Sequence, residues 1–116
     1  PFWLSPDQFS IIPISENHFK YSLNLQSKLN ELKMRGKTDM SNDRFNNKIR
    51  KAQINKTPLM IIIGDKEIES NKFTVRLRDG SNITELELQN FKILSECTDK
   101  INDDQDLSKL LKYGKI

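Results

Sequence analysis

The feature that most constrains this chain is an uninterrupted apolar run, Leu59-Met60-Ile61-Ile62-Ile63, bounded by Pro58 and Gly64. Side chains alternate faces along a strand, so a strand apolar at every position must be covered on both sides. A strand of that kind sits at the centre of a sheet with helices above and below it. The neighbouring patterns agree. Gln8 to Ile14 carries Phe9, Ile11, Ile12 and Ile14 and reads as a strand. Ser15 reads as a helix N-cap, and Tyr21, Ser22, Leu25, Leu29 and Leu32 form one helical stripe behind it. A short strand is expected at Lys37 to Met40. A second helix is expected over Arg44 to Asn55, capped by Ser41 or Asn42, with Phe45, Ile49, Ala52 and Gln53 inward. Gly64-Asp65 breaks the central run. Lys72 to Arg78 and Ser81 to Leu86 read as strands around an Asp79-Gly80 turn. A last helix is expected through Leu88, Phe91, Leu94, Cys97 and Ile101, and residues 106 to 113 read as a short extra helix or a frayed tail. The order β-α-β-α-β followed by strands and a helix predicts an α/β layer fold.

Length and composition narrow the function. At 116 residues the chain has room for one domain. No apolar run approaches the ~18 residues of a membrane span, no signal peptide is visible, and a chain beginning at Pro1 reads as part of something longer. One cysteine, Cys97, and one histidine, His18, build neither a zinc site nor a disulfide framework. The pair reads as a small core thiol and a solvated ring rather than as a catalytic dyad. The sparse cysteine fits a reduced, intracellular setting. There is no Gly-rich phosphate loop. Net charge is only +3, but Lys33 to Lys56 holds eight basic and two acidic residues, whereas Thr84 to Ile116 holds five basic and seven acidic ones. A basic middle suits a polyanion such as nucleic acid. Arg44, Lys48 and Lys51, at i, i+4 and i+7, are expected on one outer helix face.

Four blocks resemble the threonyl-tRNA synthetase family, in its anticodon-binding domain. Pro1-Phe2-Trp3-Leu4-Ser5-Pro6-x-Gln8 looks like the segment joining that family's catalytic core to the domain. Asn42 through Lys48-Ile49-Arg50 resembles R-N-x-x-x-x-x-K-I-R, with Ser41 in place of the Arg. Pro58 to Glu67 resembles P-Y-M-L-V-x-G-D-K-E, and Val75 to Gly80 resembles V-R-x-R-x-G. Lys33 stands where a Gly usually ends the first helix, and Gly36-Lys37-Thr38 replaces a Val-rich strand.

The resemblance implies a three-layer α/β domain, a mixed and mainly parallel sheet of about five strands with helices on both faces. It implies a linker at 1–7, the anticodon-binding domain at 8–102 and an extension or tail at 103–116. Asn42, Arg44, Glu67 and Arg76 match anticodon-reading positions. Lys48, Arg50 and Lys51 are expected to face phosphates. For Phe2 and Trp3, packing in the linker or against a neighbouring domain is expected rather than base stacking.

The chemistry fits. RNA-binding proteins read unstacked loop bases along their Watson–Crick edges. A threonine anticodon ends in G and U. A carboxylate such as Glu67 accepts from guanine's paired N–H groups, the Arg76 fork donates to carbonyl and ring-nitrogen acceptors, and Asn42 both donates and accepts. No catalytic or metal residue is expected here, so the chain should be inert alone. ATP and zinc belong to the implied catalytic core. The implied partners are a threonine tRNA and the enzyme's own catalytic domain, in a homodimeric cytoplasmic or organellar threonine–tRNA ligase, without membrane or DNA. The alternatives are a stand-alone accessory module, the same domain of a prolyl-, histidyl- or glycyl-tRNA synthetase, or a small α/β enzyme, which the missing His/Cys/Asp constellations argue against.

Overall fold

The structure, a computed structural model, describes residues 2–114; the expectation for the Trp3 side chain lies outside what is described. The apolar run forms β3 (Leu59–Ile63) at the centre of a five-stranded sheet. Its companions are β1 (Phe9–Pro13), β2 (Gly36–Thr38), β4 (Phe73–Leu77) and β5 (Asn82–Leu86), in the order β2-β1-β3-β4-β5. β1 runs parallel to both β2 and β3, whereas β3–β4 and β4–β5 are antiparallel. The sheet is therefore mixed, its parallel half built by two crossovers. β1→β2 steps one way and β2→β3 steps back over β1. Two right-handed crossovers in opposite directions put their helices on opposite faces.

The core obeys that rule. On one face Phe9, Ile11, Leu59, Ile61, Ile63, Phe73, Val75 and Leu77 pack against Leu25 and Leu29 of α1 (Phe19–Glu31). The same cluster takes in Phe91 and Leu94 of α4 (Leu88–Glu96) and Leu107, Leu110 and Leu111 of α5 (Asp104–Tyr113). On the other face Ile12 and Met60 pack against Ile49 and Ala52 of α2 (Phe45–Ile54). The remaining helix, α3 (Asp65–Ser70), is short and follows β3 directly.

The weak junction after α1 is well formed. Lys33 takes the left-handed conformation (φ 68°) in the place of a glycine. Its N–H donates to Asn30 O at 3.0 Å and the Met34 N–H donates to Leu29 O at 3.1 Å, with Met34 buried behind them. This is a Schellman closure. Gly36 then opens β2 because a Cβ there would overlap the Phe9 carbonyl oxygen. Gln26 Oε1 holds the strand by accepting from the Thr38 amide at 2.9 Å and its hydroxyl at 2.7 Å.

Several expectations are corrected. The N-cap position of α2 is Arg44, which makes no side-chain capping bond, and not Ser41 or Asn42; Gln53 is exposed. The break at Gly64-Asp65 is the start of α3, with Gly64 at its N-cap position. α4 stops at Glu96, and Ile101 follows a separate turn of 3-10 helix. Of the two readings for residues 106 to 113 the helix holds: α5 buries three leucines, and Arg78, the residue after β4, meets Asp104 in a 2.6 Å ion pair. Phe2 is buried in the same main cluster.

Candidate functional site

Three parallel strands end together, so the segments after β1, β2 and β3 emerge along one sheet edge. Ligands of open α/β sheets collect where adjacent parallel strands send their chains to opposite faces. Here that point lies between β1, whose chain continues into α1, and β2, whose chain continues into α2. The loop after β2 carries Asn42 and Arg44, both exposed. The segment after β3 carries Glu67.

The crevice itself is filled by the chain. The Lys48 ammonium donates to Pro13 O and to Asp39 O, both at 3.3 Å, and lies 5.2 Å from the Phe19 ring centre. Lys48 is only 3% exposed. The expectation that Arg44, Lys48 and Lys51 share an outer face is thus wrong for Lys48. Arg44 precedes the helix in extended backbone (ψ 152°), so helical spacing does not apply to it. Phe45, Lys48, Ile49 and Ala52 follow the i, i+3, i+4, i+7 spacing of the buried stripe instead. Arg50 and Lys51 are exposed as expected.

Lys51 nevertheless turns back to the loop. Its ammonium meets Asp43 Oδ2 at 2.9 Å, Asp39 Oδ2 at 3.2 Å and Ser41 Oγ at 3.2 Å. Asp39 Oδ1 accepts from the Ser41 hydroxyl at 2.6 Å and the Ser41 amide at 3.0 Å. Burial pushes the Asp39 carboxyl up, but the Ser41 bonds and Lys51 outweigh it and hold the group below its ordinary range.

Glu67 is buried rather than an open acid, at 7% exposure. Its Oε1 accepts the Gly64 N–H at 2.8 Å, which is half of a capping box, since a glycine has no side chain to reciprocate. Gly64 itself has no room for a Cβ: the point it would occupy lies 2.7 Å from Ile14 Cδ1 and 3.2 Å from that same Oε1. Arg76 pairs with Met60 across β3–β4, so it projects from the α2 side of the sheet, opposite the Phe73, Val75 and Leu77 face. Its Nε is buried without a hydrogen-bond partner.

His18 is not solvated. It is buried, Nδ1 accepts the Ser15 N–H at 3.2 Å, and Nε2 meets Asp65 Oδ1 at 2.8 Å. With Nδ1 as acceptor the ring hydrogen sits on Nε2 and is donated to Asp65. Both nitrogens are used within the segments that follow β1 and β3, so His18 has none left to pair with Cys97. Among the described residues no group of three His, Cys, Asp or Glu side chains is placed to hold a metal, and no helix is long and apolar enough to cross a membrane.

The structure thus places Asn42 and Arg44 on the loop after β2, Glu67 in the helix after β3, and Arg76 on β4 opposite Met60, on the α2 side of the sheet. Sequence reasoning missed the Asp39–Ser41–Lys51 network. The Asp-x-Ser spacing was a signal for it, since the same local bond recurs at Asp79–Ser81.

Residues 8–94 match the family described as Anticodon binding domain. The chain is 40% identical over 91 residues to a threonine–tRNA ligase of Pelobacter propionicus, covering 78% of this chain and 14% of that protein. It is 40% identical over 112 residues to a threonine–tRNA ligase catalytic subunit of Sulfurisphaera tokodaii, covering 95% of this chain and 21% of that one. It thus spans less than a quarter of the length of these relatives. Among solved structures, the RNA-binding domain of the threonyl-tRNA synthetase from Cryptosporidium parvum superposes with TM-score 0.77 and 30% identity, over 83% of this chain and 24% of that one. The apo histidyl-tRNA synthetase of Staphylococcus aureus superposes with TM-score 0.66 at 21% identity, over 77% and 23% of the two chains, a likeness of fold alone.

Proposed function

The chain belongs to the anticodon-binding-domain family, and we propose that it uses this fold to read the anticodon of a threonine tRNA. The observation that carries the proposal is that Asn42 and Glu67 leave the sheet at one edge, from the two strands that flank β1. Asn42 offers a donor and an acceptor for the uracil edge. Glu67 spends Oε1 on the Gly64 amide and offers its remaining acceptor capacity to guanine. Arg76 donates through its terminal guanidinium nitrogens, and Arg44 and Arg50 face phosphates. The identity with threonine–tRNA ligases supports threonine over histidine, because the histidyl structures share the fold at much lower identity.

In the longer proteins it resembles, this domain accompanies the part that joins threonine to tRNA. By the same likeness we assign ATP and zinc to that part. The catalytic partner domain, the homodimer and the cytoplasmic setting rest on the same likeness. The test is direct binding of the chain to a threonine anticodon stem-loop, compared with the same stem-loop carrying adenine in place of guanine. Preference for guanine supports the reading, and equal binding overturns it.

A further inference from the structure

Two lysines in the basic middle of the chain do not point at an outside ligand. Lys48 reaches under the sheet edge and holds Pro13 O, at the end of β1, together with Asp39 O, just after β2. Lys51 reaches over the same loop and holds Asp39, Asp43 and Ser41. Both rise from α2, so one helix holds the loop 39–44 through Asp39, Ser41 and Asp43. That loop carries Asn42 and Arg44, whose own side chains are exposed.

We infer that Lys48 and Lys51 are positioning residues that pre-order the 39–44 loop for RNA, rather than ligands of RNA phosphates. The inference rests on the anticodon reading above for its consequence, but the clamp itself does not need RNA to be observed. An ammonium has three donors. Lys51 spends three contacts within the loop, and Lys48 is buried against two carbonyls and an aromatic face. Neither keeps a free donor of the kind a phosphate needs. Loop order gained before binding is loop entropy that binding no longer has to supply.

The two roles give opposite signs for one substitution. Asp39→Asn removes a negative charge beside a basic face. If Lys51 served phosphates, freeing it would tighten RNA binding. If Lys51 clamps the loop, the same change loosens the loop and weakens binding, by about tenfold, the scale of losing a hydrogen bond to a charged group. Asp39 is not an assigned RNA contact, so its effect must travel through the loop.

The experiment measures affinity of the parent, Asp39→Asn and Lys51→Ala for the threonine anticodon stem-loop across a salt series, and amide exchange of residues 40–44 without RNA. The expected result is weaker binding for both variants and an unchanged salt slope. Exchange in the loop should quicken in both, while β3 stays protected. A combined Asp39→Asn/Lys51→Ala variant should bind no worse than Lys51→Ala alone, because that change already removes the Asp39–Lys51 pair. Lys48→Met is the severe case and is read only if its melting shows it folded. Tighter binding by Asp39→Asn overturns the inference, as does a salt slope lower by about 0.7 in Lys51→Ala, the signature of one lost phosphate contact. Unchanged loop exchange overturns it as well. If the parent fails to prefer the guanine stem-loop, the anticodon reading falls and takes the RNA consequence with it, while the exchange data still decide whether the clamp exists.

Discussion

The Oε1 atom of Glu67 accepts the backbone N–H of Gly64 at 2.8 Å, so the side chain assigned to guanine also closes the first turn of α3. Stability and recognition are joined in one carboxylate and can be separated by chemistry. Glu67→Gln keeps an oxygen for the Gly64 amide and should leave thermal unfolding nearly unchanged. Glu67→Ala removes the cap and should cost about 1 kcal/mol, the usual value of a helix cap. Paired melting curves of the two variants check this. If the two melt alike, the Gly64 contact contributes nothing and the carboxylate is free.

Arg76 carries a buried Nε without a partner, and burying an unsatisfied donor costs about 1–3 kcal/mol. Arg76→Met keeps the apolar stem and removes that donor. The variant should therefore be as stable as the parent or more so, while binding to the threonine stem-loop weakens. Destabilisation with binding intact would make Arg76 a packing residue only. Thermal melting and anisotropy on the same sample give both answers.

α5 is a full part of the core. Leu111 is wholly buried, whereas Tyr113, two residues on, is 72% exposed. Leu111→Ala should cost about 2–5 kcal/mol, a large share of the roughly 5–15 kcal/mol that holds a domain of this size. Tyr113→Ala should change stability by about 0.5 kcal/mol or less. Denaturant midpoints at constant slope measure both. Equal, small effects would return the C-terminal helix to the status of a tail.

Much of this was legible in the residues. Leu59 to Ile63 predicted a buried central strand because five consecutive apolar side chains between Pro58 and Gly64 are too few for a helix and need cover on both faces. The Phe73, Val75, Leu77 alternation separated core from open face. What was hidden depended on charges behaving against type. Lys48 occupies a core position of α2 because two strand-end carbonyls and an aromatic ring await its ammonium, and those lie 35 and 9 residues away in sequence and on another helix. Glu67 and His18 are buried for the same kind of reason, each taking a backbone N–H bond at a strand end. Residues 104 to 113 were ambiguous because a ten-residue amphipathic helix with an acidic start looks like a polar tail until Arg78 and the main cluster are in place.

The central claim is that Glu67 touches the anticodon guanine. It is tested most directly by a double-mutant cycle: parent and Glu67→Gln, each against the threonine stem-loop and its guanine-to-adenine counterpart, at one fixed salt concentration. The predicted result is a loss of about 1–3 kcal/mol for Glu67→Gln on the cognate loop, little further loss on the adenine loop, and a coupling energy of similar size. Equal losses on both loops, with no coupling, would contradict the claim and leave Glu67 as a helix cap alone.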